Sequence, residues 1–353
     1  MTDISLTLRS AADLISAGLA HETRREEIER ISKAYAIGVT PTIARLIDSA
    51  DPHDPIGRQF IPDLAELAHR SEERRDPIGD DAFSPVEGVV HRYPDRVLLK
   101  LLHICPVYCR FCFRRETVGP GSPTHLAPKA LDAALAYIAG HSEIWEVILT
   151  GGDPLTLSPR RISDIMSRLK AIDHVKVVRV HTRVPSVDPD AIDAQLVESL
   201  RASGKTVYVA LHANHPRELS PETRAACARI IDAGIPMLSQ SVLLAGVNDD
   251  ILTLTALMRG FVEARIKPYY LHQLDLAPGT AHFRVGIEKG RNLMRELRGR
   301  VSGLCQPTYM LDLPGGHGKS PIGPNYLTEI NDEETFEVSD YQGRSHLYPP
   351  PES

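Results

Sequence analysis

Residues 96–115 read RVLLKLLHICPVYCRFCFRR, a short leucine-rich run and then a loop that holds Cys105, Cys109 and Cys112. The run has the length and composition of a buried strand. The loop after it narrows the architecture. A doubly wound nucleotide-binding sheet would carry a G-x-G-x-x-G turn after its first strand, and three cysteines stand there instead. Similar runs recur downstream at 146–152 (EVILTGG), 176–182 (KVVRVHT), 206–213 (TVYVALHA), 237–244 (MLSQSVLL) and 269–276 (YYLHQLDL). Helical periods lie between them. Leu131, Leu135 and Ile138 precede Gly140; Ile162, Ile165 and Leu169 follow a Ser158-Pro159 cap; the rest span 190–202, 221–233, 251–265 and 285–300. Six strands alternating with six helices predict parallel pairing with right-handed crossovers. We read an α/β chain: a partial (β/α)6 barrel over residues 89–320, an N-terminal helical region over 1–88 and a short C-terminal tail over 321–353. In such a barrel the site gathers where the strands end. Polar residues do gather there: the cysteine loop, then Gly151, Gly152 and Asp153, then His181 and Arg183, His212 and His215, Gln240 and Asp275.

The 353 residues are 42% hydrophobic and 24% charged, enough apolar material for one large core with appendages. A net charge of −6 without a basic cluster argues against nucleic acid as a partner. No apolar run approaches the ~20 residues of a membrane span, so no membrane partner and a cytoplasmic location are expected. Five cysteines, an odd number without a signal peptide, fit reduced thiols rather than a disulfide framework.

Toward the N-terminus, HETRREEIERISKAYA (21–36) spaces Ile28, Ile31 and Tyr35 as one helix face. Glu26 with Arg30 and Glu29 with Lys33 are expected to pair along the solvated face. The stretches DSADPHDPIGRQFIPD (48–63) and RRDPIGDDAFSPVEG (74–88) read as extended loops.

Three cysteines within eight positions point to metal ligation. A structural zinc takes four ligands, usually from two C-x2-C pairs, and there is no second pair; His103 would have to reach back from a strand end. Three thiolates on one short loop suit three irons of a 4Fe-4S cluster, with the fourth iron left open for chemistry. Cys227 and Cys305 read as packed residues. Near the C-terminus, DLPGGHGKSP (312–321) has Leu313 where a phosphate-binding loop needs its first glycine. Lys319, on a mobile glycine loop, reads either as a Schiff-base lysine or as a solvated one.

The C-x3-C-x2-C spacing with Phe111 before the last cysteine resembles the radical S-adenosylmethionine superfamily. TGGDP (150–154) resembles that superfamily's second signature, whose backbone contacts the methionine moiety. Residues 84–115, SQSVLLAGVND (239–249), KPYYLHQLDLAPGTAHFR (267–284) and DLPGGHGKSPIGPNY (312–326) together resemble the lysine 2,3-aminomutase family. The likeness runs from about residue 35 to 330. It implies a radical S-adenosylmethionine barrel with three cofactors: a 4Fe-4S cluster on Cys105, Cys109 and Cys112, S-adenosyl-L-methionine on its open iron, and pyridoxal 5′-phosphate. By that resemblance Lys319 holds pyridoxal phosphate through a Schiff base, and Arg92, Tyr93 and Arg96 line that cofactor and its phosphate. Gln240 and His212 fall near the two organic cofactors.

By the same resemblance Arg114 grips the substrate carboxylate, as a planar guanidinium suits. Asp275 and Asp312 match the two acids that bind the ε-ammonium of lysine; burying an ammonium requires such compensating charge. A glutamate-specific relative should lack that pair, so the substrate is read as L-lysine and the product as L-β-lysine. The family's chemistry implies an electron from a reductant protein such as flavodoxin or ferredoxin, and a homo-oligomer is expected. Clostridial relatives carry a zinc site that begins with a cysteine directly after GVND. Asp250 stands there, and no cysteine follows Cys305. His317 interrupts what is usually an all-glycine loop, so the loop geometry is expected to differ. The short chain also resembles the branch that makes β-lysine for elongation factor P. A reading of another class, an iron–sulfur electron carrier or sensor, predicts a missing lysine or second signature, and both are present.

Overall fold

A computed structural model describes residues 5–119, 124–331 and 335–350. Its main sheet has nine strands in sequence order. β1 (Val89–Tyr93) lies antiparallel to β2 (Arg96–Leu102). From β2 the sheet runs parallel through β3 (Glu146–Gly151), β4 (Val177–Thr182), β5 (Thr206–His212), β6 (Met237–Val242), β7 (Ile266–His272) and β8 (Thr308–Leu313). β9 (Gly318–Pro321) turns back antiparallel on β8. The backbone N–H of Lys319 on β9 donates to the Tyr93 hydroxyl on β1 at 2.7 Å, so the two sheet edges meet and the barrel nearly closes.

The expected barrel is present with three strands more than the sequence reading counted: β1, β8 and β9. Between the parallel strands lie the expected helices, with their caps. Ser158 accepts from Arg161 N at 3.4 Å and Pro159 opens the first turn of Pro159–Lys170, supplying φ without needing a donor. Asp250 accepts from Leu252 N and Thr253 N, both at 2.9 Å, and caps Ile251–Glu263.

Strand alternation divides each strand between core and cavity. Val97, Leu99, Leu101, Val147, Leu149, Val178, Val180, Val207 and Val209 face out and pack under Leu131, Leu135, Ile162, Ile165 and Leu169. Each such side chain contributes roughly 1.5–3 kcal/mol. The alternate positions, among them Thr150, Arg179, His181, His212, Gln240, Tyr270 and His272, line the barrel's interior.

The N-terminal region forms a second, smaller core from Leu14, Ile28, Ile43, Ile56 and Phe60, closed by Val107 of the cysteine loop. Two expectations fail there. The helix over Arg25–Ser32 forms neither the Glu26–Arg30 nor the Glu29–Lys33 pair. It starts after a 3-10 turn, whose three-residue spacing instead joins Arg25 to Glu22 at 2.5 Å, and Arg24 reaches Glu27 at 2.5 Å. The first supposed extended loop contains a helix, Pro55–Phe60, nucleated by Asp54 accepting from Ile56 N and Gly57 N at 3.0 and 2.7 Å. The C-terminal tail carries its own antiparallel sheet: β10 (Leu327–Asn331), β11 (Thr335–Ser339) and β12 (Ser345–Tyr348). Among the described residues no helix is long and apolar enough to cross a membrane.

Candidate active site

A cavity of about 570 Å³ fills the barrel. It opens at the strand ends as expected, yet continues down the lumen to Arg96, Glu146, Arg179 and Tyr269.

Cys105, Cys109 and Cys112 are free thiols on the cavity wall beside Gly151, Gly152 and Asp153. Burial pushes all three thiols up, Cys109 to about 11, so holding them as thiolates takes a strongly cationic partner. No group of three or more His, Cys, Asp or Glu among the described residues converges on a single-ion site. The glycines of the second signature are forced by packing. A Cβ on Gly151 would overlap Leu102 O, and one on Gly152 would overlap Ile104 O. The two signatures are thereby laid backbone to backbone. Asp153 turns its side chain inward, accepting from Arg183 N at 2.6 Å, Thr182 Oγ1 at 2.7 Å and Leu155 N at 3.1 Å. Its carboxylate is thus taken up by these three bonds.

Across the cavity, β8 and β9 place Asp312 directly opposite Lys319 in register. Lys319 Nζ contacts Asp312 Oδ2, and His272 Nδ1 approaches the same oxygen at 3.5 Å. Burial alone would raise Asp312; the His272 bond and the Lys319 charge outweigh it and hold it at about 2. Its Oδ1 is buried without a partner among the described residues. Lys319 therefore belongs to a strand rather than the mobile loop expected. His317 is exposed and has no positive φ, unlike Gly315, Gly316 and Gly318 at +86°, +84° and +88°. It falls where a side chain is tolerated.

Asp275 lies half-buried on the same wall, and desolvation together with the Asp312 charge pushes it up to about 7. Arg92 and Arg114 share one buried carboxylate, Asp80, at 2.9 and 3.0 Å. Arg114 also reaches Thr150 Oγ1 at 3.3 Å. Arg96 lies over the Tyr93 ring, 3.8 Å from its centroid, and Gln240 Nε2 is 3.2 Å from His272 Nε2. His181 and His212 are held neutral by burial, each with Nε2 buried and unpartnered among the described residues. His215 caps the turn at Arg217 instead of lining the cavity. Cys227 and Cys305 are buried away from it, as expected.

The structure thus brings every residue given a site role from sequence onto one cavity. Sequence reasoning gave no role to Asp80, His272, Arg179 or Glu146. For the last three the alternation of inward strand positions was an available signal; Asp80 sits in an irregular loop that offers none.

The sequence model of the Radical SAM superfamily matches residues 99–257, and that of Lysine-2,3-aminomutase matches residues 294–353. The barrel with its cysteine loop is that of a radical S-adenosylmethionine enzyme, a class that works with a 4Fe-4S cluster and S-adenosylmethionine. L-lysine 2,3-aminomutase of Acetoanaerobium sticklandii is 39% identical over 93% of this chain and 78% of its own. The enzyme of that name from Clostridium subterminale is 38% identical over 93% and 79%. Glutamate 2,3-aminomutase of Clostridioides difficile is 36% identical over 86% and 71%. A solved radical SAM methyltransferase from Sphaerobacter thermophilus gives a TM-score of 0.44 at 21% identity, over 63% of this chain and 68% of that one. The chain belongs to the lysine 2,3-aminomutase family.

Proposed function

We propose that the protein interconverts L-lysine and L-β-lysine. The observation that carries the choice of lysine is the pair of carboxylates, half-buried Asp275 and buried Asp312, on one cavity with the Arg114 guanidinium. Asp312 Oδ1 lacks a donor and Asp275 sits at about 7, so both gain from a buried ammonium. A glutamate side chain would add a third negative charge to that wall.

When bound, S-adenosylmethionine on the cluster supplies a carbon radical that takes and returns substrate hydrogen, and pyridoxal phosphate supplies a carbonyl to hold the migrating nitrogen. The chain's residues do the rest. Cys105, Cys109 and Cys112 would ligate three irons, and the Gly151-Gly152-Asp153 backbone would contact the methionine moiety. Lys319 would be the amine for the carbonyl, and Arg92, Tyr93 and Arg96 would line the cofactor and its phosphate. Gln240 and His212 would lie near the two organic cofactors. Arg114 turns a guanidinium fork to the substrate carboxylate. The neutral His181 and His212 rings, with Phe111, keep water from the reacting centre. A flavodoxin- or ferredoxin-type electron donor, a reducing cytoplasmic setting and a homo-oligomeric assembly go with this reading.

The test is product analysis. Anaerobically reconstituted protein given S-adenosylmethionine, pyridoxal phosphate, reductant and L-lysine should form L-β-lysine. A cluster-loaded protein that cleaves S-adenosylmethionine but makes no β-lysine contradicts the proposal.

A further inference from the structure

Arg183 lies just past β4 and turns its guanidinium toward the cysteine loop. Its Nη1 lies 3.2 Å from Cys109 Sγ. Its Nη2 donates to Glu218 Oε2 at 2.5 Å and to Gln59 Oε1 at 2.9 Å. The guanidinium carbon sits 4.8 Å from the Phe60 ring centroid and 5.5 Å from that of Phe111. Glu218, fully buried, also accepts from Asn214 N and His215 N at 2.9 Å and from Gln59 Nε2 at 3.1 Å. Both charges are therefore locked in place. A buried ion pair adds little stability over apolar side chains of the same size, so stability alone does not account for this one. What the geometry provides is orientation: the cation touches the ligand sulfur, and the anion is held on the other terminal nitrogen.

We propose that Arg183 and Glu218 form a fixed charge pair that sets the reduction potential of the iron–sulfur cluster through Cys109, with Arg183 raising it and Glu218 opposing. This rests on the reading of Cys105, Cys109 and Cys112 as cluster ligands. Reduction adds one electron to the cluster, and the added negative charge is favoured by an N–H donor and a cation at a ligand sulfur. The carboxylate acts in the opposite sense at longer range. Arg183 lines the cavity at the cysteine loop and is a positioning residue that acts through the thiolate. The arrangement ties the potential to the packing of the N-terminal region, since Gln59 and Phe60 belong to the helix Pro55–Phe60.

The experiment is a redox titration of the full chain, reconstituted anaerobically, with a one-electron chemical reductant and the reduced cluster read by electron paramagnetic resonance. Iron content and circular dichroism of each variant are measured first. At the wild-type midpoint, Arg183→Gln should lower the reduced-to-oxidised ratio about tenfold, equal to about 59 mV for a one-electron couple. Glu218→Gln should raise that ratio, and Arg183→Lys should fall between wild type and Arg183→Gln. An unchanged midpoint in an iron-replete Arg183→Gln protein overturns the proposal, as do shifts of the same sign in Arg183→Gln and Glu218→Gln. If Arg183→Gln takes up no iron, Glu218→Gln decides: an upward shift supports the charge pair, and no shift or a downward one overturns it. Wild-type protein unable to take up iron would instead overturn the cluster reading itself. Wild-type protein loaded with iron but inactive on lysine would refute only the proposed substrate, leaving the titration readable.

Discussion

The two walls of the cavity treat their buried charges in opposite ways. Beneath the cysteine loop the carboxylates are saturated. Glu66 takes Arg110 at 2.6 Å and also Arg115, Glu218 takes four donors, and Asp153 takes three. On the lysine wall Asp312 keeps an unpartnered oxygen among the described residues, and Asp275 is pushed up to about 7. A saturated wall is rigid before any ligand arrives, as a cluster and its radical chemistry require. An unsaturated wall carries an electrostatic cost that a ligand of the right charge relieves, and that cost encodes which ligand fits.

The largest effect that could erase this contrast lies in the cysteines. Cys109→Ala should abolish the cluster, read as lost iron and lost visible absorbance, whereas Cys227→Ala should keep both. On the opposite wall, Asp275→Asn should raise the KM for lysine about 10²- to 4 × 10³-fold, since an unpaired desolvated charge costs roughly 3–5 kcal/mol. Pyridoxal phosphate loading, followed by absorbance, should change little. Equal loss of both would place Asp275 in cofactor binding instead. Glu66→Gln inverts the pattern. It leaves two buried guanidinium groups short of charge, so stability in a denaturant titration should fall by about 3 kcal/mol while the KM for lysine holds.

Acidity separates the walls as well. Asp275 is raised above the usual carboxylate value of about 3.9, so the ligand-free native state weakens as pH rises from there through about 7. A substrate ammonium favours the ionised form, so kcat/KM for lysine should climb up to about pH 7 and level above it. Asp275→Asn should flatten that limb. The smallest effects belong to the glycine loop. Gly316→Ala, at φ +84° with a Cβ that would overlap the Phe83 ring, should lower stability by roughly 1–3 kcal/mol. His317→Ala should stay within about 0.5 kcal/mol by thermal denaturation.

The same contrast governs what the sequence revealed. The helix-crossed strands β2 to β7 are short apolar runs between capped helices, and both signatures sit at their ends, so that wall was legible from periodicity and spacing. β1, β8 and β9 were not read as strands. In VVHRY, TYMLDL and GKSP the apolar alternation is broken by the side chains that face the cavity, Arg92, Asp312 and Lys319. Function there overwrites the pattern that would announce structure. Their roles came from resemblance, and resemblance gave nothing for Asp80 or for Arg183's hold on Cys109, which depend on loops brought together only by folding.

The wall that carries Asp275 and Asp312 is the one proposed to take a cation. The ratio of turnover on L-lysine to turnover on L-glutamate, measured with the reconstituted enzyme in one competition mixture, puts that to the test. β-Lysine should be the dominant product, with β-glutamate at the limit of detection. Equal turnover, or a preference for glutamate, would contradict a wall selected for positive charge.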